Sequence, residues 1–172
     1  RELHCGWRIF DSVFVKYPHA HNCVTLPTTY HVVVGTKQFS IAGVLYCQQN
    51  ALTSACAHVA LRSLLSRIAP MSEGDVSYAD IRRFLAPKVV GERKVYHKGL
   101  TMREMLDVLE GFGLEYEACD YKNNPDFQKR WPYQSVLYSG VESGIGALMG
   151  FRVLNANHQE RGRHVIPFYG HT

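Results

Sequence analysis

The sequence contains no apolar run approaching the ~18 residues that cross a bilayer as a helix, so no membrane span is expected. It shows no internal repeat and no low-complexity linker, which argues against a solenoid or a string of modules. Neither sign of charge dominates. Against 15 Asp and Glu stand 19 Lys and Arg, and the net charge of +4 is too small to argue for a nucleic-acid partner. Cysteines are few, odd in number and irregularly spaced (Cys5, Cys23, Cys47, Cys56, Cys119). A secreted disulfide framework is usually even and denser, so reduced thiols and a cytoplasmic location are expected. The chain opens at Arg1 without Met or a basic-then-apolar leader, which predicts a processed or partial chain carrying no secretory signal. What is present is 172 residues, 46% apolar and 12% aromatic, which excludes intrinsic disorder and fits one domain over 1–172. Such a domain buries about two-thirds of its unfolded surface, and needs neither disulfides nor a metal to hold it.

The periodicity changes along the chain. Residues 7–17 and 30–46 are β-branched and aromatic and read as strands, the latter as a hairpin turning near Gly35-Thr36-Lys37. From Ser54 the apolar spacing becomes helical (Ala57, Ala60, Leu61, Leu64, Leu65, Ile68) until Pro70. Ser77 with Asp80, and Thr101 with Glu104, are caps for two further helices, the second closed by Gly111 and Gly113. Residues 114–121 alternate loosely as a strand, and 134–138 read as either a short helix or an extended segment. Residues 146–154 and 164–169 flank a polar turn and read as an antiparallel pair. Strands, then helices, then strands predict an α+β fold.

The chemistry concentrates in Tyr46-Cys47-Gln48-Gln49-Asn50-Ala51-Leu52-Thr53-Ser54-Ala55-Cys56-Ala57-His58, an amide-rich loop leading to a Cys in the first turn of an amphipathic helix. Unpaired N–H groups and the helix dipole favour a thiolate there, and the thiolate is the nucleophilic form. A Gln from the preceding loop, together with the Cys56 N–H, would form a two-donor oxyanion hole, each donor worth on the order of 3 kcal/mol in the transition state. The plainer alternative is a small buried thiol. The second element is Arg163-His164-Val165-Ile166-Pro167-Phe168-Tyr169-Gly170, which places a His at the start of an apolar strand as a general base for Cys56. His158 and His171 fall in turn-like settings. His58, two residues from Cys56 on one helix, points away from it.

An amide loop, a Cys opening a helix, a capped helix and then His-Val-Ile-Pro-Phe-Tyr-Gly together resemble the papain-like cysteine peptidase superfamily. There the catalytic His likewise opens an apolar strand, with a Gly six positions on, as with His164 and Gly170. The closer likeness is to the bacteriocin-processing (double-glycine leader) peptidases. It rests on the Cys helix, on Gly99-Leu100-Thr101 to Leu114, and on Glu142-Ser143-Gly144-Ile145-Gly146-Ala147-Leu148 before the His strand, and it covers roughly 46–170. The resemblance implies a papain-like fold, a helical half carrying Cys56 on an antiparallel sheet carrying His164, with residues 1–45 as a β extension before a core of 46–172. It implies hydrolysis of a peptide or isopeptide bond by Cys56 and His164, with Gln48 or Gln49 in the oxyanion hole, a peptide or protein substrate and no cofactor. A catalytically inactive module binding a peptide in the same groove is the alternative. The chain departs from the family at Ala55-Cys56-Ala57, where Asp-Cys-Gly is usual, and its oxyanion Gln lies seven or eight positions before Cys56 with Asn50 at six. Only eight residues follow His164, so the Asp or Asn that orients the His in relatives is expected beyond a truncated C-terminus, unless the site is a dyad.

Three other features have plainer readings. His19-Ala20-His21-Asn22-Cys23, after His4 and Cys5, has zinc-ligand types but no standard spacing, and reads as a polar connection with no metal. Gly140–Gly150 lacks the Lys-Ser/Thr of a phosphate loop. Arg82, Arg83, Lys88, Arg93, Lys94 and Lys98 read as solvated faces rather than a nucleic-acid rim.

Overall fold

The computed structural model describes residues 9–15, 23–24, 28–49, 56–68, 76–85 and 99–171. Among them lie five helices and antiparallel sheets, an α+β arrangement. Three strands open the chain: β1 (Ile9–Phe14), β3 (Thr28–Val34) and β4 (Lys37–Gln49), in the order β1-β4-β3, with the two-residue β2 (Cys23–Val24) elsewhere. Strands β3 and β4 form the expected hairpin. Gly35 stands at φ +62° in the first central position of a two-residue turn, where a side chain would be disfavoured. Strand β4 runs unbroken through residues 45 and 46, the expected border between extension and core, because β1 pairs with it as far as Ile9 opposite Gln49.

Helix α1 (Cys56–Ile68) is the centre of the molecule. It packs on β4, on α2 (Tyr78–Phe84) and on β6 (Glu160–Phe168), so its apolar positions are covered from several sides. Ala57, Leu61 and Leu65 join Val76, Ile81, Met105, Val108 and Leu109 in the main core, while Leu45 meets Val59 in a smaller one. Enclosure extends to polar positions. Arg62, Ser63 and Ser66 are buried, and Arg62 Nε donates to the Val76 carbonyl at 2.9 Å with its guanidinium over the Tyr78 ring.

Helices α2 and α3 (Met102–Gly111) start at the predicted capping boxes. The Ser77 and Thr101 hydroxyls accept from the Asp80 and Glu104 N–H groups, and each carboxylate accepts in return from the capping residue's backbone. Helix α3 ends as the glycines predicted. Gly113 sits at φ +73°, its N–H donates to Glu110 and that of Leu114 to Leu109, and Leu114 folds onto the core. Residues 114–120, expected as a strand, form no regular element. Among the described residues no strand pairs with them, and most of their side chains face solvent. Helices α4 (Phe127–Arg130) and α5 (Tyr133–Glu142) follow, the latter settling the 134–138 ambiguity as helix; it closes at Gly144 by the same motif as α3.

The chain ends in the predicted antiparallel pair, β5 (Ala147–Leu154) and β6, followed by β7 (Gly170–His171), which pairs with β2. Among the described residues no helix is long and apolar enough to cross a membrane.

Candidate active site

Cys56 is the first residue of α1, half-buried, with a free thiol. Residues 50–55, which lead into it, lie outside the described residues. Packing of α1 on β6 brings the Cys56 sulfur to 4.0 Å from the carbonyl oxygen of Arg163, the residue before His164. The elements singled out in the sequence therefore meet: the start of the Cys helix touches the backbone of the His strand.

The imidazole itself lies elsewhere. Side chains alternate across a strand, and directly paired residues share a face. Val165 and Leu148 pack against the core that α1 builds. His164, one step from Val165, belongs to the opposite face, where Phe151 stands directly across from it. The two rings meet edge to face with centroids 5.6 Å apart. Among the described residues no hydrogen bond joins His164 to the Cys56 thiol. His164 also lies in mid-strand rather than at a strand start, because β6 begins at Glu160, where pairing with Leu154 and an ion pair to Arg152 extend the ladder.

Gln48 and Gln49 are the last residues of β4, opposite Phe10 and Ile9. They are strand rather than the loop that the run of amides suggested, since β1 supplies a partner to that point.

The remaining histidines separate clearly. His58 is half-buried, and its Nδ1 is enclosed with no hydrogen-bond partner among the described residues. Burial lowers its proton affinity below the ordinary range, the Arg82 charge adds to the effect and Glu104 opposes it. That environment favours the neutral ring. His158 sits in the β5–β6 turn at φ +59°, beside an Asn155 side chain that accepts from the N–H groups of Asn157 and Gln159.

His171 corrects the sequence reading. It is a strand residue rather than part of a turn, and among the described histidines it is held by both a carboxylate and a ring. Its Nε2 bonds Glu142 Oε1, and its ring lies 4.6 Å from that of Tyr138. Tyr138 and Glu142, four apart on α5, share a helix face. That spacing was readable, but their partner 29 residues further on was not, because β7 reaches α5 only through tertiary folding. Tyr138 also lines a shallow depression of about 320 Å³ with Gln134, Ser135 and Ser139.

Among the described residues no group of three or more His, Cys, Asp and Glu side chains is placed to hold a metal. His4, Cys5, His19 and His21 lie outside the described residues, as do Lys88, Arg93, Lys94 and Lys98; Arg82 and Arg83 are exposed on α2, as expected. No protein-family model, curated protein or solved structure matches the chain, so the functional reading rests on its own residues.

Proposed function

We propose that the chain is a papain-like thiol hydrolase acting on a peptide or isopeptide bond in the cytoplasm. Cys56 attacks the carbonyl carbon, and His164 takes the thiol proton and returns it to the leaving amine. Gln48 or Gln49, with the Cys56 N–H, holds the oxyanion. The observation that carries this reading is the approach of the Cys56 sulfur, at the first turn of α1, to the β6 backbone beside His164. The mechanism requires the His164 ring to leave Phe151 and turn to the edge of β6 nearest the thiol.

Alkylation by iodoacetamide near pH 6 tests it, since only an activated thiol reacts there at a useful rate. Cys56 should label about tenfold faster than Cys119, and His164→Ala should abolish the difference. Labelling of Cys56 no faster than Cys119 sinks the proposal.

A second reading is a non-catalytic module that binds a peptide on the same framework. The seating of the His164 ring against Phe151, on the face away from α1, favours it. A peptide partner retained by Cys56→Ala, with unactivated Cys56 in the parent protein, selects this reading.

A further inference from the structure

Arg152 and Arg163 stand directly opposite each other in the β5–β6 ladder, and directly paired residues share a face. That face is the one turned toward α1. Arg163 lies two residues before Val165, which packs on the core that α1 builds, and side chains alternate along a strand. The carbonyl of Arg163 is also the group 4.0 Å from the Cys56 sulfur. Neither guanidinium has a part in the chemistry assigned to Cys56. Like charges directly opposed in a ladder repel, and here a single carboxylate stands between them. Glu160 Oε1 accepts from Arg163 Nε at 3.0 Å, while Glu160 Oε2 lies 3.8 Å from Arg152 Nη1, beyond hydrogen-bond range. Among the described residues neither guanidinium has another carboxylate partner, and the two side chains are 52% and 76% exposed. Two cations thus share one anion, and a positive charge is left in excess beside the thiol.

We propose that Arg152 and Arg163 form a carboxylate-binding subsite beside Cys56, and that the peptide taken by this protein carries an Asp or Glu side chain close to the bond presented to the thiol. A guanidinium offers its N–H groups in a planar fork that matches a carboxylate. Glu160 engages only Nε of Arg163, so the terminal N–H groups of Arg163 and the fork of Arg152 remain for a second carboxylate. Its arrival would set two anions against two cations and relieve the repulsion between the paired arginines. A single excess charge fits the monoanion of an acidic side chain better than a doubly charged phosphate. Exposed ion pairs are individually weak, so the subsite confers a preference of several-fold rather than an absolute requirement. It acts chiefly on encounter and is screened by salt. As a determinant of substrate it rests on the reading of Cys56 as the group that meets the peptide.

The test compares iodoacetate with iodoacetamide as alkylating agents of Cys56 in the intact protein, read by mass spectrometry. Both join a carbon to the sulfur with loss of iodide, and only iodoacetate carries a carboxylate. Their rate ratio therefore reads positive charge at the thiol, while the reactivity of the thiol itself cancels. Replacing both arginines, Arg152→Gln with Arg163→Gln, should lower the ratio about threefold at low salt, and the difference should shrink at about 0.5 M salt. Glu160→Gln removes the carboxylate already in place and should raise the ratio about twofold. An equal ratio in the parent and the double variant overturns the proposal. So does the absence of a rise in Glu160→Gln, which decides the matter alone should the double variant fail to fold. An amidated pentapeptide of glycine with a central glutamate, at millimolar concentration, should slow iodoacetate labelling of Cys56 more than its glutamine counterpart does. Equal protection by the two peptides overturns the assignment to an acidic partner. The iodoacetamide rate of Cys56 against that of Cys119, read in the same digest, judges the hydrolase reading separately. An unactivated Cys56 with an arginine-dependent ratio retires the hydrolase and leaves the subsite to the binding module.

Discussion

The Cys56 sulfur lies 4.0 Å from the carbonyl oxygen of Arg163, while the imidazole of the next residue, His164, rests against Phe151 on the far face of the hairpin. Phe151 therefore decides whether thiol and imidazole communicate. Phe151→Ala should free the ring and raise the Cys56 alkylation rate near pH 6 by about threefold or more, with no rise in the Phe151→Ala, His164→Ala double variant. An unchanged rate in the single variant would mean that the two groups work apart, as in the binding-module reading.

Gly146 joins α5 to β5 at φ +78°, and a Cβ there would come within 2.7 Å of Leu64 Cδ1 on α1. Gly146→Ala meets a backbone penalty and an overpacked contact together, each on the order of 1–3 kcal/mol. Urea denaturation should show a loss of about 2–4 kcal/mol. Gly150→Ala, with open space where its Cβ would stand, should be close to neutral by comparison.

The α3 cap offers a milder test. Thr101→Ala leaves the Glu104 N–H without its acceptor and should cost about 1 kcal/mol, read as a lower melting temperature. Thr101→Ser keeps the hydroxyl and should recover most of it. Loss of stability in the serine variant equal to that in the alanine variant would assign the effect to the Thr methyl instead.

His58 gives the protein an acid-sensitive element. Its folded-state proton affinity is lowered, chiefly by burial, so in the window below the ordinary His value of about 6.5 the unfolded chain holds the proton and the folded chain does not. Stability contributed by the neutral ring is thus complete above that window and falls as the pH drops through it. The urea midpoint should decline between pH 7.5 and pH 5.5, and His58→Gln should lessen the decline. An identical decline in the variant would locate the acid sensitivity in other groups.

Much of the fold was legible because local chemistry determined it. Ser77 with Asp80, and Thr101 with Glu104, begin their helices where the capping pattern required, and Gly35 and Gly113 turn the chain where left-handed backbone was needed. The antiparallel pair near the C-terminus followed from its two apolar runs and the polar turn between them. What stayed hidden depends on contacts remote in sequence. The burial of Arg62, Ser63 and Ser66 needs packing on several sides of one helix, which no periodicity announces. The extension of β4 through Gln48 and Gln49 needs β1 as a partner. Within the candidate site, the placing of Cys56 at a helix start was readable. The face taken by His164 was not, since it depends on the register of β6 against β5 and on which side meets α1. The His171–Glu142 contact joins elements 29 residues apart and lay equally beyond local reading.

Because β4 and β6 lean on the same helix, the strands before residue 46 are a wall of the interior rather than an appendage. Val44 and Leu45 are almost fully enclosed, and Leu45 meets Val59. A chain shortened to begin at Tyr46 would keep the Cys helix and the His hairpin yet strip one side of the helix that links them. Loss of either sheet would then be felt by the other, so the described body should melt as one cooperative unit rather than shed its first strands in a separate step.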